Sequence, residues 1–442
     1  MPENTDPVDR VIGFDAHPDT FTAALVRGPT PAAAVVERCF NKVPLRQLPS
    51  WARKHTNPKD LFVLEASGNS FHIVRVLAEV GRRALVLESC QMGKLKESHA
   101  NNDKISAVRI AKAYLAGTAK IVWVPDLKTQ ERRDLFHAHR KATKRTTQVR
   151  NRLLSYLSDQ GVRLPKNTPL TKPQEAEAKL QAAKRWSPCQ WQIIEGLLLE
   201  LRHADQQRTH WRRLIAQEVL ADPTLLSLVH LCGIREMVAF ALGAIIGDIH
   251  RFAHPGQLVK YIGLNPAFDD SGNERWSGGI GGHGRKDLRC LLIEAAQAIL
   301  RCSKTPLALW GKKLLARKGS INLAVAAIAR KLTVAVWYQL MGRGTPLTEL
   351  EPGLKHKVGK IISQVGPEGF KKLGKTRAQL REETYQLLKA SLAVTPPSKQ
   401  TPAPAPALPA ETKPAARVYV LKPELKYTPK SPKSQPQSLT AG

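Results

Sequence analysis

Apolar positions in the first 125 residues come in short runs, at Val11–Ala16, Phe21–Val26, Ala34–Phe40, Leu61–Ala66, Ala84–Leu87 and Ile121–Val124. Runs of this length, bounded by Gly, Pro and polar residues, predict strands. Repeats at helical spacing over Phe71–Val80 and Lys104–Ala116 predict helices. The first three runs succeed one another too closely for crossover helices, while the later ones alternate with helices. This order predicts an antiparallel meander leading into β-α-β units, an α/β domain over residues 9–126. After Pro125 the period changes: Leu135, Ala138, Ala142, Val149, Leu153 and Leu157 recur at helical spacing. A second helical stretch runs from about Thr171 through Leu220, past the breaker Leu164-Pro165-Lys166, so residues 127–221 predict an arm of two long antiparallel helices. Residues 222–345 read as a mostly helical unit interrupted by glycines at 278–284, and 346–394 as an amphipathic helical appendage. From 395 the pattern dissolves, and 11 of the 31 prolines fall in the last 48 residues, a composition that predicts an extended, disordered tail.

Charge turns the question from architecture to partner. Across 442 residues, 68 Lys and Arg against 37 Asp and Glu leave a formal charge of +31. The 42% hydrophobic content excludes wholesale disorder. Lys and Arg that neutralise phosphates release condensed counterions, so a polyanion is the first partner to consider. An anionic membrane competes, but no stretch approaches about 18 uninterrupted apolar residues, and the N-terminal MPENTDPVDR is polar and acidic. The expectation is a soluble, unexported, cytoplasmic protein. The excess is local: residues 127–165 hold ten Lys or Arg against three acids. Arg132, Arg133, Arg140, Lys141, Lys144, Arg145, Arg150 and Arg152 favour a nucleic-acid contact over a merely solvated helix face. Cys39, Cys90, Cys189, Cys232, Cys290 and Cys302 show no C-x-x-C and no zinc spacing, which predicts reduced thiols.

Three carboxylates of the first domain call for an explanation. Asp15 lies inside the apolar strand Val11-Ile12-Gly13-Phe14-Asp15-Ala16-His17, where burial is expensive without a cation or strong donors. Glu65 ends the run Leu61-Phe62-Val63-Leu64, and Asp103 opens a helix at Asn101-Asn102-Asp103. With the first strand beside the fourth, all three would meet at one sheet edge. Clustered carboxylates need cations at neutral pH, and hard oxygen ligands select Mg2+ or Mn2+. Such a site activates a water or clamps a phosphodiester. Plainer roles stay open: Asp103 as a helix N-cap, Glu65 in a salt bridge, Asp15 in a turn toward Pro18.

A second constellation lies in the third unit. Ser271 sits beside Gly272 in a polar loop, followed by Gly279, Gly281, Gly282 and Gly284, which would let backbone N–H groups gather round an anion. Arg275, Arg285, Lys286 and Arg289 would supply charge-assisted bonds to phosphate. The chain turns strongly helical from Lys286, placing the loop near a helix N-terminus. An ordinary turn remains the alternative.

The two blocks, in this order, resemble the IS110-family transposases. Gly13-Phe14-Asp15-Ala16-His17, Leu64-Glu65-Ala66-Ser67-Gly68 and Asn102-Asp103-Lys104-Ile105-Ser106-Ala107 resemble that family's RuvC-like, RNase H-fold domain, whose pattern is Asp, Glu, then two aspartates three residues apart. Asp15, Glu65 and Asp103 match, and Ser106, a weak neutral ligand, stands at the fourth position, which implies one Mg2+ or one strong and one weak site. Gly263, Leu264, Pro266, Ser271, Gly272, Gly279, Ile280, Gly284, Leu288 and Arg289 fit the family's C-terminal serine domain, with Gly281, Gly282 and Arg285 departing from it. Leu231-Cys232-Gly233-Ile234-Arg235 looks like the start of a helix-hairpin-helix whose amides would bind a phosphate backbone. The resemblance spans about residues 11–340.

It implies that Ser271 attacks a DNA phosphodiester, aided by a metal site at Asp15, Glu65, Asp103 and, weakly, Ser106. It also implies a homo-oligomer, dimer or tetramer, with composite sites, and an element-encoded noncoding guide RNA that selects donor and target DNA at the nucleoid. A RuvC-like nuclease or junction resolvase, and a catalytically reduced RNA- and DNA-binding descendant, are the competing expectations. An actin-like ATPase would need a second glycine-rich phosphate loop and an adenosine motif, and neither is found.

Overall fold

The structure, a computed structural model, describes residues 10–89, 102–165, 168–271 and 274–392, and of residues 267–271, 274–278, 372, 391 and 392 it describes the backbone alone. The Pro-rich tail from 395, Cys90 and Gly272 lie outside the described residues. β1 (Val11–Ala16), β2 (Thr20–Arg27), β3 (Val35–Pro44), β4 (Leu61–Glu65), β5 (Arg83–Leu87) and β6 (Ile121–Val122) make one sheet in the order β3-β2-β1-β4-β5-β6. β1, β2 and β3 are antiparallel neighbours, and β1, β4 and β5 run parallel. The meander and the β-α-β crossover thus lie where the apolar runs place them. β6 is a two-residue strand, and it pairs antiparallel to β5.

Strand alternation sorts the side chains onto two faces. Ile12, Phe14, Phe62 and Leu64 pack with α1 (Leu48–His55) and α2 (Ser70–Glu79) through Trp51, Ile73 and Leu77. Val11, Leu61 and Val63 pack on the other face with Ala107, Ile110 and Ala111 of α3 (Asp103–Leu115). Gly13 allows α3 to lie directly on β1: a Cβ there would stand 1.9 Å from the Ala107 carbonyl oxygen. α1 is an element the apolar pattern does not predict. Its core contribution is Leu48, Trp51 and Ala52, too few positions to set a period.

α4 (Leu127–Asp159) and α6 (Pro188–Ala221) pack along each other, with α5 (Pro173–Ala183) set against their far end. Asp126 caps α4, and Ser187 with Gln190 forms a capping box on α6. The near ends of the pair merge into the helical unit that begins after Ala221. Phe136, Ile215 and Val219 share one core with α8 (Glu236–Ile246), α10 (Lys286–Cys302) and α12 (Ile321–Leu340). That core also takes in Ile361 of α13 (Glu351–Leu373), kinked at Gly366, and Leu388 of α14 (Arg377–Leu392). Between α8 and α10, α9 (Pro255–Ile262) leads into a hairpin of β7 (Pro266–Ser271) and β8 (Glu274–Ile280). α12 has the length and mean hydropathy, 1.3, of a membrane span. It carries Arg330 and Lys331 at its middle and buries Val325, Ile328, Leu332, Val336 and Trp337 in the core.

Candidate functional site

β1 and β4 run parallel with Phe14 opposite Leu64, so the next residues, Asp15 and Glu65, lie at the C-terminal ends of adjacent strands, Asp15 one residue before the last of β1. Both have the parity of the face that α3 covers. The close approach at Gly13 brings the N-terminus of α3 to that same edge. Asn102, not Asp103, caps this helix: its side chain accepts from the Ile105 amide at 2.9 Å. Asp103 is therefore released from the capping role and faces the strand ends. Two residues past Asp15, and so on the same face, stands His17, whose carbonyl accepts from Asn69 Nδ2 at 3.0 Å.

Asp15, His17 and Asp103 each place a ligand atom within 4.8 Å of the other two. His17 Nε2 lies 3.5 Å from Asp103 Oδ1 and 4.0 Å from Asp15 Oδ2, and it is buried with no hydrogen-bond partner. Burial pushes the Asp15 carboxyl above its ordinary range and Asp103 adds to that, while His17 and Arg109 oppose it. Two carboxylates and an imidazole nitrogen are donors that a divalent ion takes. Glu65 is outside this group of three. Ser106, one turn along α3 from Asp103, accepts a hydrogen bond from Arg109 Nη2 at 3.1 Å. At the position where an acidic pattern has its fourth carboxylate, this chain has a hydroxyl tied to a guanidinium. His17 is the member that the carboxylate reading left without a role. The alternation Asp15-Ala16-His17 was the signal that pairs it with Asp15.

Ser271 is placed differently from the expected loop. It is the last residue of β7, opposite Glu274 across the hairpin turn, because its segment pairs residue by residue with β8. The Ser271 and Arg275 side chains and Gly272 lie outside the described residues. The glycine segment beyond β8 is held by backbone contact. Gly263 and Gly284 both have positive φ and pack against each other, and a Cβ on Gly263 would stand 2.0 Å from the His283 carbonyl oxygen. Arg289 Nη1 donates to that carbonyl at 2.6 Å and to Ile262 at 3.2 Å, and Nη2 donates to Gly282 at 3.3 Å. Gly279 and Gly281 have open space around them.

The expected phosphate-binding side chains divide accordingly. Arg289 is occupied with loop carbonyls, and Arg285 pairs with Asp287 at 2.7 Å, so both serve the loop's own structure. Lys286 is exposed. On α4, Arg133 departs from the surface placement expected of it. It is buried and donates to the Ala244 and Ile245 carbonyls, both at 3.0 Å, satisfying the C-terminus of α8. Arg132 is half-buried on Asp222, at 2.7 Å, and Glu218. Arg145 and Arg152 share Glu200, and Arg140 reaches Asp287 at 3.8 Å. Lys141, Lys144 and Arg150 are exposed and form no salt bridge among the described residues. The hairpin at Leu231–Arg235 is enclosed too: the Cys232 amide donates to the Leu347 carbonyl, and Glu236 at the start of α8 pairs with Arg212 at 2.8 Å.

Comparison with known proteins bears on this segment directly. The model of the transposase IS116/IS110/IS902 family matches residues 227–310, which span the Leu231–Arg235 hairpin, β7, β8 and the Arg289 loop. The transposase for insertion sequence element IS1111A of Coxiella burnetii is 26% identical over 293 residues, 64% of this chain and 78% of that protein. A probable family 20 transposase of Pseudomonas aeruginosa is 24% identical over 292 residues, 65% of this chain and 86% of that one. The transposase for insertion sequence element IS1328 of Yersinia enterocolitica is 22% identical over 312 residues, 69% and 89% of the two chains. With its motif order and these relatives extending well beyond the matched segment, the chain is similar to the IS110 family of insertion-sequence transposases on both sides of the arm.

Proposed function

We propose that this chain cuts and rejoins DNA by transesterification at Ser271, assisted by one divalent ion held by Asp15, His17 and Asp103, with an element-encoded RNA selecting the DNA. The observation that carries the reading is the meeting of two carboxylates and a partnerless imidazole nitrogen at one sheet edge in a chain similar to a transposase family. The strand order, with an antiparallel β1-β2-β3 meander continued by parallel β4 and β5, supports an RNase H-like domain. Mg2+ or Mn2+ bound there would act as a Lewis acid on a phosphodiester oxygen.

The chain's own residues have separable tasks. The Ser271 oxygen attacks phosphorus, its proton leaves, and the P–O bond to one deoxyribose oxygen breaks. That oxygen takes up a proton, and a serine phosphodiester remains. A hydroxyl of the incoming strand reverses the step and frees Ser271. Asp103 opens α3, so its carboxylate faces the positive end of the helix dipole. The Ser106–Arg109 pair places a fixed positive group where a second ion would otherwise need a carboxylate, which favours a single-ion site. Because the carboxylate and imidazole group is complete without Ser271, a metal-dependent nuclease is the second reading.

One experiment separates the two. The full chain is incubated with element RNA, donor and target DNA and Mg2+, and denaturing gels are read for protein covalently joined to DNA. Ser271→Ala is expected to abolish the adduct. Strand cleavage that persists undiminished in Ser271→Ala overturns the serine mechanism and leaves the nuclease.

A further inference from the structure

Between Glu294 and Glu349 the chain has no Asp or Glu, yet it has nine Lys or Arg. This stretch covers the end of α10, all of α11 (Pro306–Lys318) and all of α12. α11 and α12 pack against each other across the Gly319 turn, where φ is +66°. Their outward positions hold Lys312, Lys313, Arg317 and Lys318 on α11 and Arg330 and Lys331 on α12, all exposed. Among the described residues none of the six forms a salt bridge, in contrast to Arg132, Arg145 and Arg152 on the arm.

Six cations fixed on a rigid helical pair with no counter-charge repel one another, and a polyanion relieves that repulsion. The surface offers an unstacked base a single exposed ring, Tyr338, among the described residues. Single-strand binders stack bases on open aromatic faces, whereas here the Trp310 ring lies under Lys331 Nζ, 4.6 Å from its centroid. What remains is a cluster of charges in which Lys312 to Lys318 span about 9 Å along α11, with Arg330 and Lys331 on the neighbouring helix, an array suited to the phosphates of a duplex. Arg330 also lines a groove of about 620 Å3 floored by Leu264, Pro266 and Ile280. Pro266 and Ile280 are paired at the base of the β7–β8 hairpin whose far end is Ser271. The basic surface is therefore continuous with the foot of the hairpin whose first strand ends at Ser271.

We propose that the α11–α12 surface is a docking site for duplex DNA, read through its phosphates without regard to sequence, which leads the duplex to the Ser271 hairpin. The inference rests on the transposase reading for its choice of DNA, and equilibrium binding tests it without any demand on Ser271. Fluorescence anisotropy with the full chain and a random-sequence duplex DNA, in the absence of divalent ions, gives the affinity as a function of KCl. The variant carries Lys312→Gln, Lys313→Gln, Arg317→Gln and Lys318→Gln. All four positions are exposed, and an unchanged melting curve confirms the fold. The slope of log affinity against log salt is expected to flatten by about 0.9 for each phosphate no longer neutralised, and affinity near about 0.15 M KCl to fall roughly 100-fold when three phosphates lose their cation. Arg330→Gln with Lys331→Gln is expected to flatten it further. An unchanged slope overturns the proposal. So does a loss confined to duplex RNA, or a changed oligomeric state with DNA affinity intact, which would assign the surface to RNA or to a second copy of the chain.

Discussion

His17 shows how much one side chain can alter a site's chemistry. Carboxylates alone favour Mg2+, but an imidazole nitrogen in the donor set shifts preference toward Mn2+ and its softer neighbours. His17 Nε2 faces Asp15 and Asp103 with no hydrogen-bond partner of its own. His17→Ala is expected to weaken Mn2+ binding by at least about tenfold, the lower range for disturbing a metal's ligand environment, while weakening Mg2+ binding less. Titration of free Mn2+ followed by electron paramagnetic resonance reads this directly, and unchanged Mn2+ affinity excludes His17 from the ligand set. Asp15 was legible because a carboxylate inside an apolar strand demands a reason. Asp103 was legible as a residue at the start of a helix, but its freedom to face the site depends on Asn102 taking the cap. His17 was written in the strand's alternation, two residues from Asp15, yet an imidazole at a strand end is common enough that only the fold reveals which carboxylates it meets. The Ser106–Arg109 contact could not be read from spacing, since Arg109 is one of several cations near that helix.

At the level of elements, the site depends on how closely α3 lies on β1, and Gly13 sets that distance. A methyl group there would overlap the Ala107 carbonyl, a backbone atom that cannot move aside without the helix. Gly13→Ala is expected to destabilise the chain by about 3 kcal/mol, the upper range for overpacking, and to weaken Mn2+ binding as Asp103 is carried outward. Chemical denaturation gives the first and metal titration the second. Gly196 is the matching case of opposite sign: it is helical, exposed and has nothing within 4 Å of its absent Cβ. Gly196→Ala should stabilise α6 by about 0.5–1 kcal/mol. The strands and the long helices were legible because their apolar periods are sustained over many residues. The β7–β8 hairpin was not, because Asp269, Asp270 and the glycines of its partner strand carry no alternating apolar face. Its backbone register pairs β7 with β8, so a sequence that reads as loop folds as a ribbon.

Across the whole molecule, the +31 excess does several different jobs. Part of it is internal, as in Arg133 on the α8 carbonyls and Arg251, which stacks on Trp123, Phe252 and Tyr261 at 4.4 to 4.6 Å and joins the end of the α/β domain to the helical core. Another part is neutralised on the arm, and the acid-free α11–α12 surface is left uncompensated. This density of cations also sets how the fold responds to acid. His139 is half-buried near Arg212 and Arg208, and His230 is buried near Lys357, which itself bonds the Val229 and Leu231 carbonyls. Burial first, and these cations second, lower both imidazoles from 6.5 to about 4. In the folded chain they stay neutral down to that value, while in the unfolded chain they protonate near 6.5. Between the two values the unfolded state binds more protons, so stability is full above about pH 6.5, declines as the pH falls and has lost its whole contribution below about 4. Urea denaturation at a series of pH values is expected to show the midpoint dropping already between about pH 6.5 and 5, before most carboxylates titrate. The double variant His139→Gln and His230→Gln should flatten that part of the profile. A wild-type midpoint constant across this interval would mean that neither imidazole is held neutral by the fold.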